Sequence, residues 1–455
     1  MADRQPTIGI IMNGVSGRMG YRQHLLRSIL AIREQGGVLL ADGTRVQLEP
    51  LLVGRSEAKL AELAARHGLE HYTTDLAAAL ADPRWQIYAD FLVTKARVPA
   101  LTQAIAAGKA VYTEKPTAET FDEALELARL ASAAGIKNGV VHDKLYLPGF
   151  RKLRRLIDSG FFGRILSVRG EFGYWVFEGD WQPTQRPSWN YRAEDGGGII
   201  VDMFPHWNYL LENLFGRVES VYAHAVTEIP ERVDEHGERY RATADDAAYA
   251  VFELEGGITA QLNSSWTTRV NRDELVEFQA DGTLGSAVIG LFGCKIQPRN
   301  ATPKPVWNPD IPDANDYAAD WLEVPTNEVF ENGFKVQWEE FIRHVVDDEP
   351  NPFDFLAGAR GVLLKGGHLG EGEVVVDRYR DRHTGFEHSA PRLDIDGHGT
   401  GCTLSSAIAA RLALGDAPAD ACRAGIDYVH RTMRDAYRPG NSAVSVLGHL
   451  GPMRA

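Results

Sequence analysis

The sequence predicts an α/β fold: a Rossmann-type, doubly wound parallel sheet followed by an α+β domain with an open, mainly antiparallel sheet. Over residues 7–141, short apolar runs alternate with segments of helical periodicity, which is the pattern of βαβ units. From residue 149 the strand-like segments alternate apolar and polar side chains instead. Near residue 361 a third pattern begins and leads to a glycine-rich loop. We therefore predict three domains, at 1–148, 149–360 and 361–455.

The first domain is predicted to contain five buried strands with helices between them. The predicted strands are TIGIIMN, LLVG, YADFLVT, AVYT and NGVV. The predicted helices are AKLAELAARHG, VPALTQAIAAG and FDEALELARLASAAG, in which apolar residues recur at helical spacing. Strands and helices in this order form a parallel sheet covered on both faces.

The second domain is predicted to begin with a helix and to continue with alternating strands. The helix is FRKLRRLIDSG, and the strands include RILSVRGEFGYW, AAYAVFELEGG and ITAQLNSSW. The amphipathic segment FKVQWEEFIRHVVDDE is expected to close this domain as a helix.

Composition points to an enzyme that acts on a small molecule. The 455 residues, 44% of them hydrophobic, are enough to bury several cores. A net charge of −14 argues against nucleic acid or an anionic membrane as the partner. The three cysteines, Cys294, Cys402 and Cys422, have no CxxC spacing, so neither a disulfide framework nor a metal site is expected. With no signal-peptide pattern at the N-terminus, a cytoplasmic location is expected.

A glycine loop between the first strand and the first helix predicts a dinucleotide site. Glycines three residues apart let the backbone turn tightly and approach a pyrophosphate, and the helix N-terminus that follows carries partial positive charge. An ordinary tight turn is the alternative interpretation. The residues predicted to contact the cofactor here are Gly14, Ser16, Gly17, Arg18, Met19 and Gly20.

The end of the second strand favours NADP over NAD. An NAD-selective site usually carries Asp or Glu there to accept bonds from the ribose hydroxyls. This chain has Arg55 followed by Ser56, and a guanidinium suits a 2′-phosphate. A solvated arginine at the start of a helix is the alternative, and NAD remains possible.

Two segments carry candidate catalytic residues. Lys115 follows the strand AVYT in the sequence Glu114-Lys115-Pro116, at the edge of the sheet where open α/β folds bind ligands. Asp202 and His206 are four residues apart and share one face of a predicted helix. A histidine moves the alcohol proton during hydride transfer, and a lysine stabilises the developing oxygen charge. A surface lysine and a structural histidine are the alternatives.

These motifs resemble the Gfo/Idh/MocA family of oxidoreductases over residues 5–360. The resemblance is carried by EKP after the fifth strand and by GGG, Asp202 and His206 at the start of the second domain. It implies that Lys115, Asp202 and His206 bind the reacting carbinol and relay its proton, with Glu114 and Thr94 on the cofactor side. The chain departs from the family after its fourth strand, where Thr94-Lys95-Ala96 replaces a TPN-type turn. The loop GRMG also resembles dihydrodipicolinate reductases, but their histidine-rich catalytic segment has no counterpart here.

Aromatic and charged side chains before the helix with Asp202 suggest a sugar-binding surface. They are suited to stacking on a polyhydroxylated ring or to binding an acidic sugar. A loop that caps the core is the alternative interpretation. The residues predicted to contact substrate are Lys144, Trp189, Asn190 and Arg192, with Trp175 and Trp181 nearby.

The C-terminal segment resembles hydroxymethylpyrimidine/phosphomethylpyrimidine kinases of the ribokinase superfamily. The resemblance rests on KGGH followed by GHGTGCTLSSA. It implies that Gly399, Thr400 and Gly401 form an anion hole and that Cys402 occupies the catalytic position. Only the last 95 or so residues carry it, against roughly 250 for a complete domain of that kind. We expect a partial α/β fold without kinase activity, joined to the first family through a shared stretch at 357–364.

Three functions are therefore compared. The leading hypothesis is an NAD(P)-dependent oxidoreductase that acts on a secondary alcohol of a sugar-like or polyol substrate. The alternatives are a thiamine-pyrimidine kinase and a non-catalytic NAD(P)-binding protein. No nucleic-acid or membrane partner is expected, and open sheets of the second-domain type favour a homo-oligomer.

Overall fold

The chain divides into two compact units, residues 1–358 and 359–455. This computed structural model describes residues 6–304, 308, 310–311, 316, 319–326, 329–355, 362–364, 374–380, 385–393, 403–404, 407–408, 410–411, 414, 416–436 and 447. Within these residues no helix has the length and apolar character needed to span a membrane.

The first unit begins with a seven-stranded, mainly parallel sheet, which confirms the predicted doubly wound fold. Its strands are β1 Thr7–Asn13, β2 Val38–Leu39, β3 Arg45–Val53, β4 Tyr72–Thr73, β5 Trp85–Asp90, β6 Ala110–Thr113 and β7 Asn138–Val140. The order is β3-β1-β5-β6-β7, with β4 parallel and β2 antiparallel to β3 at the outer edge. The strand order reverses between β1 and β5, which is where such sheets bind dinucleotides.

Helices connect these strands on both faces of the sheet. They span Gly20–Leu30, which has π-helical hydrogen bonding, then Ala31–Glu34, Glu57–His67, Leu76–Ala81, Thr94–Ala106 and Phe121–Ala133. Ser56 caps the third of these, and Thr120 with Glu123 forms a capping box for the last. These side-chain caps satisfy backbone N–H groups that would otherwise lack partners.

One strand is shorter than the sequence suggested. The run YADFLVT continues apolar to Val93, yet β5 ends at Asp90. The Asp90 carboxylate accepts a hydrogen bond of 3.1 Å from the Leu92 backbone and turns the chain, so that a helix begins at Thr94. A buried aspartate, and not a loss of hydrophobicity, therefore ends this strand.

The second domain is built on an open, eight-stranded mixed sheet. Its strands are β8 Ile165–Gly173, β9 Val218–Val226, β12 Ala247–Leu254, β13 Ile258–Ser265, β14 Val276–Gly282, β15 Gly285–Ile289, β16 Cys294–Pro298 and β17 Leu322–Glu323. A separate hairpin pairs β10 Glu231–Val233 with β11 Arg239–Arg241. The sheet order is β17-β16-β15-β14-β8-β13-β12-β9, and only the β8–β13 pair is parallel. The predicted mainly antiparallel sheet is thus confirmed.

Two helices cover the inner face of this sheet. They span Pro148–Asp158 and Ile199–Leu214. Short 3₁₀ turns lie at Asp143–Tyr146, Ser188–Tyr191, Ala193–Asp195 and Arg299–Ala301. Trp207 of the second helix is buried, and its indole N–H donates a 2.7 Å hydrogen bond to Ser264 Oγ of β13. This bond fixes the rotation of the helix that carries Asp202 and His206.

The helix Gly333–Asp347 packs into the core of the first sheet. Phe334, Trp338, Phe341 and Ile342 are buried there together with residues of β1 and the helix Gly20–Leu30. The sequence pattern predicts this segment as the closing helix of the second domain, whereas the structure packs it into the first core. Its apolar stripe shows that it is a helix but does not identify the surface that the stripe covers.

The second unit contains a three-stranded antiparallel sheet and a helix. The strands are β18 Val362–Leu364, β19 Val374–Arg380 and β20 Gly385–Pro391, and the helix spans Pro418–Arg434. The predicted anion loop, Gly399, Thr400, Gly401 and Cys402, lies outside the described residues, as do 357–361 of the predicted junction.

Candidate active site

The predicted catalytic lysine and aspartate are in direct contact. Lys115 follows β6, its peptide bond to Pro116 is cis, and its Nζ lies 2.5 Å from the backbone oxygen of Asp202. The same Nζ lies 3.1 Å from Asp202 Oδ1. The contact joins the carboxyl edge of the first sheet to the first turn of the helix Ile199–Leu214. Residues 87 positions apart in the chain thus form one charged pair.

Arg186 completes this cluster, although the sequence analysis did not identify it. One guanidinium nitrogen donates a 2.8 Å hydrogen bond to Asp202 Oδ2, and Nε donates one of 2.7 Å to Tyr174 Oη. The guanidinium also lies over the Trp266 ring, 4.4 Å from its centroid. Asp202 therefore receives one cation on each of its carboxylate oxygens.

The two cations keep Asp202 ionised. Burial alone would raise its pKa, but the charges of Lys115 and Arg186 outweigh burial and lower the pKa from 3.8 to about 2. The carboxylate is therefore negative throughout the range in which enzymes work. It pairs with Lys115 as an anion and has no proton to give.

His206 lies one helical turn after Asp202, and its tautomer follows from its partners. Its Nδ1 is 2.7 Å from Tyr209 Oη, which donates its single proton to Asp143 Oδ1 at 3.3 Å. With the tyrosine proton in that bond, the network is satisfied when Nδ1 of His206 donates to Tyr209 Oη. The lone pair of the imidazole is then on Nε2, which is the form required of a general base.

His206 is neutral at physiological pH. Burial lowers its pKa well below the usual value, and the positive charges of Lys115 and Lys144 lower it further. His142 stacks on Tyr209 with 4.3 Å between ring centroids, and burial lowers its pKa to about 3. Burial therefore favours the neutral form of both histidines.

Glu114 is turned away from this cluster. Its buried carboxylate accepts a 2.8 Å hydrogen bond from His24 Nε2, and His24 Nδ1 accepts one of 3.0 Å from Trp338. Burial opposes its ionisation, but the His24 hydrogen bond and neighbouring positive charges lower its pKa on balance. The contact that the sequence predicts between Glu114 and the cofactor remains a prediction.

The glycine loop has the shape that a dinucleotide needs. Gly14 has φ +83°, and an added Cβ would lie 2.9 Å from the Phe91 backbone. A Cβ on Gly20 would lie 2.9 Å from the Gly14 oxygen. The exposed Ser16 and Arg18 stand where the loop enters the helix. These residues fit a nicotinamide dinucleotide, since two glycines keep the loop close and the helix N-terminus faces it.

The other predicted cofactor residues lie at the same edge of the sheet. Arg55 is exposed just beyond the end of β3, where it makes no ion pair with any described residue. The Ser56 hydroxyl accepts from Lys59 N at the start of the next helix. Thr94 is half-buried in the first turn of its helix. The buried Arg97 donates a hydrogen bond of 3.1 Å to Asp90 Oδ1 and so stabilises the end of β5 at this edge.

The predicted substrate residues occupy different environments. Lys144 Nζ lies 2.6 Å from Asp143 Oδ2, beside the His206 relay, and the buried Asn190 accepts a 3.3 Å bond from Arg186. Trp189 is 46% exposed, and Arg192 lies over the Tyr240 ring at 4.6 Å. Lys144 and Asn190 are therefore linked to the charged cluster.

Of the other tryptophans, Trp181 is 61% exposed and Trp175 lies beneath the Arg269 guanidinium. Both belong to the aromatic segment in which substrate contacts are predicted. These contacts leave the proposed substrate roles of the segment as predictions.

Comparisons with known proteins agree with this architecture. Residues 11–142 match the family described as "Oxidoreductase family, NAD-binding Rossmann fold", and residues 150–288 match "GFO/IDH/MocA C-terminal domain". A D-xylose dehydrogenase of Paenarthrobacter nicotinovorans is 60% identical over 361 residues, covering 78% of this chain and 93% of the relative. The chain belongs to the Gfo/Idh/MocA family of oxidoreductases. It is an NAD(P)-dependent oxidoreductase that acts on CH–OH groups of sugar-like molecules.

Solved structures share the fold of the first unit. Levoglucosan dehydrogenase in complex with NADH and L-sorbose aligns with a TM-score of 0.62 at 20% identity. The alignment covers 78% of this chain and 93% of that chain. At this identity the comparison supports the fold alone.

The C-terminal resemblance is also found. Residues 353–447 match the family described as "Phosphomethylpyrimidine kinase". A putative hydroxymethylpyrimidine/phosphomethylpyrimidine kinase of Schizosaccharomyces pombe is 36% identical over 109 residues, about a fifth of that protein's length. The match confirms that the segment resembles this family but gives little support to a kinase activity.

Proposed function

We propose that this chain oxidises an aldopentose of the D-xylose type, with Lys115, Asp202 and His206 as the catalytic group. The observation that carries the proposal is that the Lys115–Asp202 ion pair and the neutral His206 lie close together. A cation fixed by Asp202 lies near a neutral histidine whose Nε2 carries a lone pair. The 60% identity to a D-xylose dehydrogenase supports the choice of sugar.

Each catalytic side chain has a distinct part in the reaction. The substrate hydroxyl lies between Lys115 Nζ and His206 Nε2, and its proton passes to Nε2 as the carbonyl bond forms. The Lys115 ammonium stabilises the negative charge that develops on the oxygen. A nicotinamide dinucleotide held at the loop of Gly14, Gly17 and Gly20 would supply the hydride acceptor for the carbon that bears this hydroxyl. Asp202 and Arg186 hold Lys115 in position and do not exchange protons.

NADP is the proposed cofactor, because Arg55 is exposed at the end of β3 without an ion-pair partner among the described residues. A guanidinium at this position complements a 2′-phosphate and offers no acceptor to a ribose hydroxyl. The levoglucosan dehydrogenase complexes contain NADH, which makes NAD the alternative.

A homo-oligomer is proposed through the outer face of the second sheet. Tyr249 and Val251 of β12 are 41% and 42% exposed, and Tyr222 on the neighbouring β9 is 51% exposed. Several large apolar side chains on one open face are typical of a subunit interface. Light scattering of the wild type and of Val251→Glu tests this directly, and an unchanged monomeric mass in both would refute it.

The proposed activity is tested by initial rates of NADP⁺ and NAD⁺ reduction with D-xylose, D-glucose and a linear polyol. We expect D-xylose with NADP⁺ to be preferred, and Arg55→Asp to shift the preference toward NAD⁺. His206→Gln should lower kcat by about 10²–10⁴, while the exposed His236→Gln should leave it unchanged. Cofactor binding without turnover of any sugar would favour the non-catalytic alternative.

A further inference from the structure

The hairpin and helix of the second unit bring three potential metal ligands together. Asp377 of β19 and His388 of β20 are directly paired across the hairpin. His430 lies on the helix Pro418–Arg434 that packs over it. One ligand atom from each residue lies within 4.8 Å of the others, and the two imidazole rings stack at 5.6 Å.

The hydrogen bonds of His388 distinguish a metal site from an ordinary polar cluster. Its Nε2 bonds to Asp427 Oδ1 at 2.8 Å, which leaves Nδ1 as the atom available to an ion. Nδ1 is buried and has no hydrogen-bond partner in the described part of the chain. Metal-bound histidines commonly show this pattern, with one nitrogen on a carboxylate and the other on the metal. A buried nitrogen without a partner is otherwise costly.

The spacing of the other two residues also suits an ion. His430 Nε2 and Asp377 Oδ2 are 3.8 Å apart, which is too long for a hydrogen bond. Bonds of about 2.0–2.2 Å to a tetrahedral Zn²⁺ place its ligand atoms about 3.3–3.6 Å apart. Small rotations of the three side chains would bring them to that distance.

We propose that Asp377, His388 and His430 bind one divalent transition-metal ion of the Zn²⁺ class. Two imidazoles and one carboxylate suit Zn²⁺, with water in the fourth position. The ion joins the hairpin to the helix, where the described residues form one small hydrophobic cluster of Leu404, Ile426 and Val429, with Phe386, Ile408 and Met433 packed against it. Small units with few apolar contacts are often stabilised by a bound metal. The absence of CxxC spacing had suggested that the chain binds no metal.

The test is calorimetric titration of the full chain, prepared without a histidine tag and stripped with EDTA. We expect one equivalent of Zn²⁺ to bind with micromolar or tighter affinity, and Co²⁺ to show the visible absorption of a tetrahedral site. His388→Gln and His430→Gln should weaken binding at least about 100-fold, and Asp427→Asn about 10–100-fold, because it removes only the outer partner. His236→Gln is the matched control and should bind as the wild type does.

Two results would overturn the proposal. The first is a wild-type chain that binds no Zn²⁺, and the second is unchanged affinity in both histidine variants. Circular dichroism shows whether each variant is folded. If a histidine variant does not fold, Asp427→Asn still tests the site, because it keeps all three ligands.

Discussion

Replacing Arg186 with methionine tests whether the charged cluster positions Lys115. Methionine keeps much of the apolar contact with Trp266 but removes the hydrogen bond to Asp202 Oδ2. With one cation lost, the pKa of Asp202 should rise from about 2 toward its ordinary value. Asp202 is then held by Lys115 alone, so the position of the Lys115 ammonium becomes less defined.

The magnitude follows from the bond to Asp202, because the bonds to Tyr174 and Asn190 that methionine also removes do not contact the carboxylate that holds Lys115. A charge-assisted bond contributes about 1.5–3 kcal/mol, which corresponds to a fall of roughly 10- to 150-fold in kcat/KM if the whole effect reaches the transition state. We expect kcat to fall more than KM rises, because Arg186 orients Lys115 without binding substrate itself. Arg186→Lys restores the charge but not the forked geometry and should recover part of the loss.

Arg269→Met is the matched control. Its guanidinium also lies over a tryptophan, Trp175, but it is exposed and makes no contact with Asp202. Steady-state rates with D-xylose and NADP⁺ compare the two variants across pH. If Arg186→Met loses no more activity than Arg269→Met, the argument for a positioning role fails.

Three further changes test the folded structure. Gly20→Ala places a Cβ 2.9 Å from the Gly14 oxygen. It should therefore weaken cofactor binding and lower the free energy of unfolding by about 1–3 kcal/mol. Cofactor affinity equal to that of the wild type would contradict this. Trp338→Phe deprives His24 Nδ1 of its donor and should cost about 1–3 kcal/mol in urea denaturation, and a loss below about 0.5 kcal/mol would count against it. The lowered pKa of Asp202 stabilises the fold above pH 3.8, and this contribution, about 1–2 kcal/mol after screening, should disappear as the pH falls through about 2. Thermal melts of the wild type and Asp202→Asn should therefore converge in acid, and a constant difference between them would refute the assignment.

Much of the fold follows from local patterns. The runs TIGIIMN and AVYT coincide with β1 and β6, because each is a short apolar segment with polar or glycine-rich residues on both sides. β2 and β4 were missed, since each has only two residues and leaves no periodicity to detect. The helix Gly333–Asp347 was recognised, but the core that it joins depends on tertiary packing that a periodic pattern does not encode.

Only the site residues that belong to a sequence motif could be predicted. Lys115, Asp202 and His206 were found through EKP and the GGG segment, and the structure brings Lys115 and Asp202 into contact. Arg186 was missed because it lies in an irregular Trp- and Pro-rich stretch. In such a stretch the sequence alone does not show which arginine contacts the site. Asp143 and Tyr209 were missed for a similar reason. Tyr209 donates a hydrogen bond to Asp143 from a distant part of the chain, and no local pattern predicts this contact, although Asp143 adjoins the predicted Lys144.

The position of the helix Gly333–Asp347 has a consequence for synthesis on the ribosome. The last strand of the first sheet ends at Val140, but the core of that sheet needs Phe334, Trp338 and Phe341. At about 5–20 residues per second, the intervening stretch takes roughly 10–40 s to translate. During that interval the nascent first domain exposes an apolar groove that its own chain will later fill. Chaperone binding to stalled nascent chains should therefore persist until the helix emerges and then decline sharply.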